Sequence, residues 1–175
     1  MNWFQQLWYR CIYRVAIICI WIKIEYQIRK KEHTVIDGIR IIVDPEYVSR
    51  ITGFSLSDLE KNFCAVAPML LYTQVVIVSR LIDMSIPSER AIFFHECGHH
   101  KYGHIRRMIG RTLAKCVPTT TTTEEELEAD AYAASIVGPE IILETLQRMA
   151  PLVVVDYYKL QLKLRITTLE LMCTR

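Results

Sequence analysis

None of the six cysteines, at positions 11, 19, 64, 97, 116 and 173, pairs with another at Cys-x-x-Cys spacing. Their scatter fits no secreted disulfide scaffold, which points to a reducing compartment, the cytoplasm. A strong charge of either sign is also lacking. The net charge is +2 with a pI near 8.2, too mild to argue for a nucleic-acid partner. No internal repeat is visible. Residues 3 to 28, the most apolar part of the chain, contain no long uncharged run: the longest is Val15 to Ile22, eight residues, against the ~20 needed to span a bilayer. No small-x-small cleavage site follows that segment, so a signal peptide is not expected.

Histidine is scarce as well, with five in 175 residues, yet four of the five fall between His95 and His104 in the run HECGHHKYGH. The run opens with HExxH, which a shuffled chain of this composition would contain in roughly one case in a hundred. Two imidazoles four residues apart on a helix project from one face, so His95 and His99 can share one metal ion at nitrogen–metal distances near ~2.1 Å. Glu96 is angled off that axis. It is therefore expected to act as general base on a water held at the metal.

A catalytic zinc usually takes a third protein ligand and keeps one position open. The segment Glu124 to Ala134, EEELEADAYAA, can supply it: acids crowd its first turn, alanines fill its middle, and Gly138-Pro139 supplies a stop and restart. Glu126 and Asp130 share a face, while Ala129 and Ala133 are small enough for another helix to approach. One acid can ligate the metal and the other can fix a ligand histidine by accepting its second N–H. Glu126 is assigned to the metal and Asp130 to the histidine. Glu124, Glu125 and Glu128 are read as solvated, the first two complementing the helix dipole.

HECGHHKYGH followed by the Glu-x-x-Ala-Asp of Glu126 to Asp130 resembles the gluzincin metallopeptidases that include the CAAX prenyl endopeptidases and the HtpX-type membrane proteases. The resemblance spans residues 75 to 138, with a weaker echo at Arg165 and Ile166. It implies one Zn²⁺ per chain held by His95, His99 and Glu126, with Glu96 as base, Gly98 as the small motif residue and Asp130 in support. His104 falls on the family's additional histidine. On an unbroken ideal helix it stands about half a turn from His95, which argues against direct ligation. The chain departs from family members that place membrane-spanning segments between HExxH and the third ligand, because only 26 residues separate His99 from Glu126. Substrate class therefore does not carry over. A compact gluzincin that cleaves regulatory proteins fits the spacing equally, although its Glu-bearing helix more often has Asn where Asp130 stands.

The remaining chain is long enough for one domain with its own core. TVIDGIRIIV, residues 34 to 43, reads as a hairpin about a primed Asp37-Gly38 turn. Ser57 to Glu60 matches a capping box opening a short helix. Gln74 to Arg80 reads as a strand before Pro87, either offering its edge to an extended peptide or buried in the sheet. Thr119 to Thr123, after Pro118, reads as an exposed linker. Val153 to Leu171 reads as a core-packing helix. Tyr157, Tyr158 and Arg165 are candidate oxyanion donors, and Cys64 is a candidate inhibitory thiol at the metal. Cys97 is expected to point away from it.

Positions 4, 7, 8, 11, 12, 15, 18, 19 and 22 form an apolar stripe at helical spacing, with Arg10 and Arg14 off it. Such a helix packs on the domain or lies on a membrane surface through residues 3 to 28. The expectation is thus an α+β, zincin-like fold: residues 1–31 an N-terminal amphipathic helix, packed or membrane-associated, and 32–175 a metallopeptidase domain. That domain would hold a small sheet, an HExxH helix, a Glu-bearing helix and C-terminal helices. The expected function is zinc-dependent endopeptidase action on a protein or peptide. The rival is a zinc-stabilised regulatory module that binds without cleaving, and the intact Glu96 argues against it.

Overall fold

Asp37 and Gly38 both have positive φ, 51° and 78°, the pairing a two-residue primed turn requires. The turn folds β1 (Thr34–Ile36) antiparallel onto β2 (Ile39–Val43), with Ile36 opposite Ile39. Residues 3–68, 74–117, 119–153 and 155–174 are described in this computed structural model. β4 (Val75–Val78) lies parallel to β2, and β3 (Ala65–Val66) pairs antiparallel with β4, giving the order β1-β2-β4-β3. The fold is mixed α+β. Two short helices, α2 (Pro45–Thr52) and α3 (Leu56–Lys61), fill the crossover between the parallel strands.

Side chains alternate across the sheet, as the pleat requires. On one face Ile42, Val75 and Ile77 meet Val48 of α2 and Leu59 of α3. On the other, Ile39, Ile41, Val76 and Val78 meet Phe93 and Cys97 of α4 (Pro87–Lys101). β4 is covered on both faces and hydrogen-bonded on both edges, so its Val-Val-Ile-Val run is fully buried. It therefore has no edge to offer a peptide; among the described residues the edge strands are β1 and β3, and β3 is the one beside β4. The α3 cap is Ser55, two residues before the expected Ser57: its Oγ accepts the Asp58 N–H at 3.1 Å.

Pro87 occupies the first turn of α4, where its missing N–H costs nothing. Gly103, at φ 69°, then turns the chain into α5 (His104–Lys115). α6 (Thr123–Val137) ends at Gly138, and Pro139 starts α7 (Pro139–Met149). A short 3-10 turn, Ala150–Leu152, leads to α8 (Asp156–Cys173). Ala91, Ala133, Ile142, Leu146, Leu162 and Leu169 form the core shared by α4, α6, α7 and α8.

The threonine run is more engaged than a linker. Thr122 caps α6 in a reciprocal capping box with Glu125, and Thr119 Oγ1 donates to the Met108 carbonyl at 3.0 Å. Pro118 and Val154 lie outside the described residues. At the other end of the chain, α1 (Trp3–Arg29) is a single helix. It packs through Ile17 and Trp21 on Ile105, Met108 and Ile109, and through Ile24 and Ile28 on the sheet cluster. The stripe picked out by helical spacing is the opposite, exposed face. No helix among the described residues is long and apolar enough to cross a membrane.

Candidate metal centre

Gly98 is what brings the two halves of the site together. A Cβ built on it would lie 2.9 Å from Ala129 Cα, so α4 and α6 cross at a distance that only glycine permits at this position. Ala129 and Ala133 are fully buried on the α6 side of the crossing. The close approach delivers Glu126 and Asp130, one turn apart on α6, to His95 and His99, one turn apart on α4.

Hydrogen bonding orients both imidazoles alike, each through its Nδ1 atom. His95 Nδ1–H donates to Asp130 Oδ1 at 2.8 Å, leaving Nε2 as the atom turned inward. His99 is set through a chain. His104 Nε2–H donates to Glu128 Oε2 at 2.9 Å, so His104 Nδ1 is an acceptor for His99 Nδ1–H, also at 2.8 Å. Both Nε2 atoms then face one another 3.1 Å apart, with Glu126 carboxylate oxygens 3.3 and 3.5 Å away. His95, His99 and Glu126 form a group whose ligand atoms lie within 4.8 Å of one another and can hold a metal ion. Two ligands at ~2.1 Å from a tetrahedral ion are about 3.4 Å apart. The observed separations bracket that edge, so the residues fit such an ion.

Electrostatics point the same way. Burial and Arg165 oppose a charge on His95, but Asp130 and Glu126 outweigh them and raise it to about 10. Burial, together with the neighbouring His95, pushes His99 down to about 3. A positive charge on His95 beside Glu126 is thus favoured, and one on His99 is not. Glu126 is kept well below the usual carboxylate range: burial raises it, but the His95 hydrogen bond and the nearby Arg165 prevail.

Arg165 of α8 was weighed in the sequence as an oxyanion donor; here it is a clamp. Its guanidinium donates to both Asp130 oxygens at 2.7 Å and pairs with Glu126 at 2.9 Å. Thr121 Oγ1 donates to the other Glu126 oxygen. Glu125 is buried, contrary to the reading of it as solvated, because Arg107 and Arg111 of α5 bind its carboxylate. Glu128 is half exposed but engaged by His104 and Arg107. These contacts were missed because the basic residues of α5 carry no motif. His104 was placed by assuming one unbroken helix, and Gly103 breaks it.

Glu96 lines a cavity of about 640 Å³ together with His95, Glu126, Asp130 and Arg165. Burial raises its carboxyl to about 7, Glu126 adds to the rise, and His95 opposes it; the Ala67 backbone also holds it. Ile142, Leu146 and Met149 of α7 and Leu162 of α8 also line it, with Thr145 and Gln161 from the same two helices. Cys64 and Tyr158 line the cavity too, whereas Cys97 packs against the sheet. Burial, reinforced by Glu96, pushes the Cys64 thiol up to about 12, which disfavours a metal-binding thiolate. Comparison with known protein families, curated proteins and solved structures finds no match.

Proposed function

We propose that the chain is a zinc-dependent endopeptidase with a zincin-like fold, as its resemblance to the gluzincins implies. The carrying observation is the convergence of two imidazole Nε2 atoms and one carboxylate, with a second carboxylate, Glu96, in the same cavity. Two imidazoles and a carboxylate are a hydrolytic zinc donor set. Bound zinc supplies a Lewis acid that polarises a carbonyl and lowers the pKa of water.

The chain's own residues do the rest. Glu96 takes the proton of the attacking water and passes it to the leaving amine. Asp130 keeps the Nε2 of His95 inward, while Arg165 and Thr121 fix the Glu126 carboxylate. An extended peptide is expected to lie along β3, whose residue Ala65 lines the cavity. The mostly apolar lining of the cavity favours a substrate with an apolar side chain.

Elemental analysis of purified protein tests the metal assignment. One zinc per chain in the wild type, lost in His99→Ala, is expected. Absence of zinc from protein purified and loaded with the ion would overturn the reading.

A further inference from the structure

The sequence of α1 is apolar on two sides, and the body of the protein uses only one. Every residue from Trp3 to Ile12 is exposed, and the packed face begins in earnest at Ile17 and Trp21. At 3.6 residues per turn, Phe4, Leu7, Trp8, Ile12, Val15 and Ile22 stack on the opposite side of the helix. All six are exposed, Phe4 at 67%, Trp8 at 63% and Val15 at 61% of their full area. An apolar face of this length on a charged-surface protein marks an interaction site.

Charge identifies what it meets. Between residues 3 and 31 the chain has six basic residues and one acid, Glu25, which is already paired with Arg29. Lys23 and Lys30 flank the C-terminal end of the apolar face by helical spacing, whereas Arg10 lies off it. Arg14 is turned to the body, where its Nε donates to the Leu113 carbonyl. A second copy of the chain would bring the same cations against this face with no acid to receive them. Anionic lipid headgroups supply the opposite charge, and the indole and phenol rings of Trp3, Trp8 and Tyr9 suit the boundary between headgroup and acyl chain.

We infer that the exposed face of α1 is a membrane-docking surface that lies flat in the interface of an anionic bilayer. The apolar side chains enter the acyl boundary, Lys23 and Lys30 contact headgroups, and the opposite face stays on the protein. This docking is independent of the metal centre.

Flotation of the full-length protein with vesicles of phosphatidylcholine, alone or mixed with phosphatidylglycerol, tests it. The wild type is expected to float with the anionic vesicles, with a blue shift of tryptophan emission, and to bind less at high salt. Trp8→Glu with Val15→Glu, both at exposed positions, should keep the helical circular-dichroism signal and weaken binding about tenfold or more. Lys23→Glu with Lys30→Glu should weaken binding to anionic vesicles only. A wild type that stays in solution with anionic vesicles would overturn the inference, as would a Trp8/Val15 variant that floats equally. A dimer that forms without vesicles and is lost in that variant, with no flotation of the wild type, would assign the face to a second copy instead.

Discussion

The Cα of Ala129 stands where a side chain on Gly98 would begin, 2.9 Å from the built Cβ. The residue inside HExxH therefore sets the distance between the helix that carries His95 and His99 and the helix that carries Glu126 and Asp130. Gly98→Ala has to push backbone against backbone, since the obstructing atom is not the end of a flexible side chain. A loss of about 1–3 kcal/mol of stability is expected, even though alanine favours a helix. Urea unfolding of the two proteins checks it. Unchanged stability would mean that α4 and α6 are not held at this separation.

Three substitutions around the metal centre should rank by their distance along the hydrogen-bond chain. Glu126→Ala removes one of the three proposed ligands and should weaken zinc binding most. His104→Ala leaves the ligands but frees the His99 ring, for an expected loss of about 10–100-fold. Glu128→Ala removes only the outermost, half-exposed link and should matter least. Competition with a chromogenic chelator gives all three affinities. Equal affinities for the Glu126 and Glu128 variants would reverse the ligand assignment.

Much of this centre was legible because short spacings act through one helix turn. HExxH, the Glu126–Asp130 pair, the Asp37-Gly38 turn and the Gly138-Pro139 break are local, and each forms where backbone chemistry puts it. What was not legible depends on which faces meet. Residues 3 to 22 are apolar on two sides, and periodicity cannot say that Trp21 rather than Trp8 is covered. The burial of Glu125 needs Arg107 and Arg111 from a separate helix, and the burial of β4 needs strands on both sides. Thr119 to Thr123 looked like a linker because polar side chains predict exposure, yet their hydroxyls cap α6 and hold Glu126.

Acid sensitivity should have an identifiable contribution from Asp44. It caps α2 by accepting the Tyr47 N–H at 2.9 Å and pairs with Lys31. Burial raises its pKa, but the Lys31 hydrogen bond, the Tyr47 N–H and the charges of Lys31 and Arg50 together leave it below 3.8. A carboxyl lowered on folding contributes stability above its unfolded pKa, near 3.8, that is lost as pH falls through the lower folded value. Asp44→Asn keeps a capping oxygen without the charge, so its deficit against wild type should be largest near neutral pH and shrink below about pH 4. Asp44→Ala should cost about 1 kcal/mol more by losing the cap. Thermal melts across pH check the sign. A deficit that grows toward low pH would contradict it.

The proposed role of Glu96 is that of base in a zinc hydrolase. Its most direct measurement is the rate at which zinc-loaded wild type and Glu96→Gln cleave an unfolded protein such as casein, each first shown to carry one zinc per chain. Cleavage by the wild type and at least a hundredfold loss in the variant, with zinc retained, are expected. Equal rates, or no cleavage by the fully loaded wild type, would contradict it.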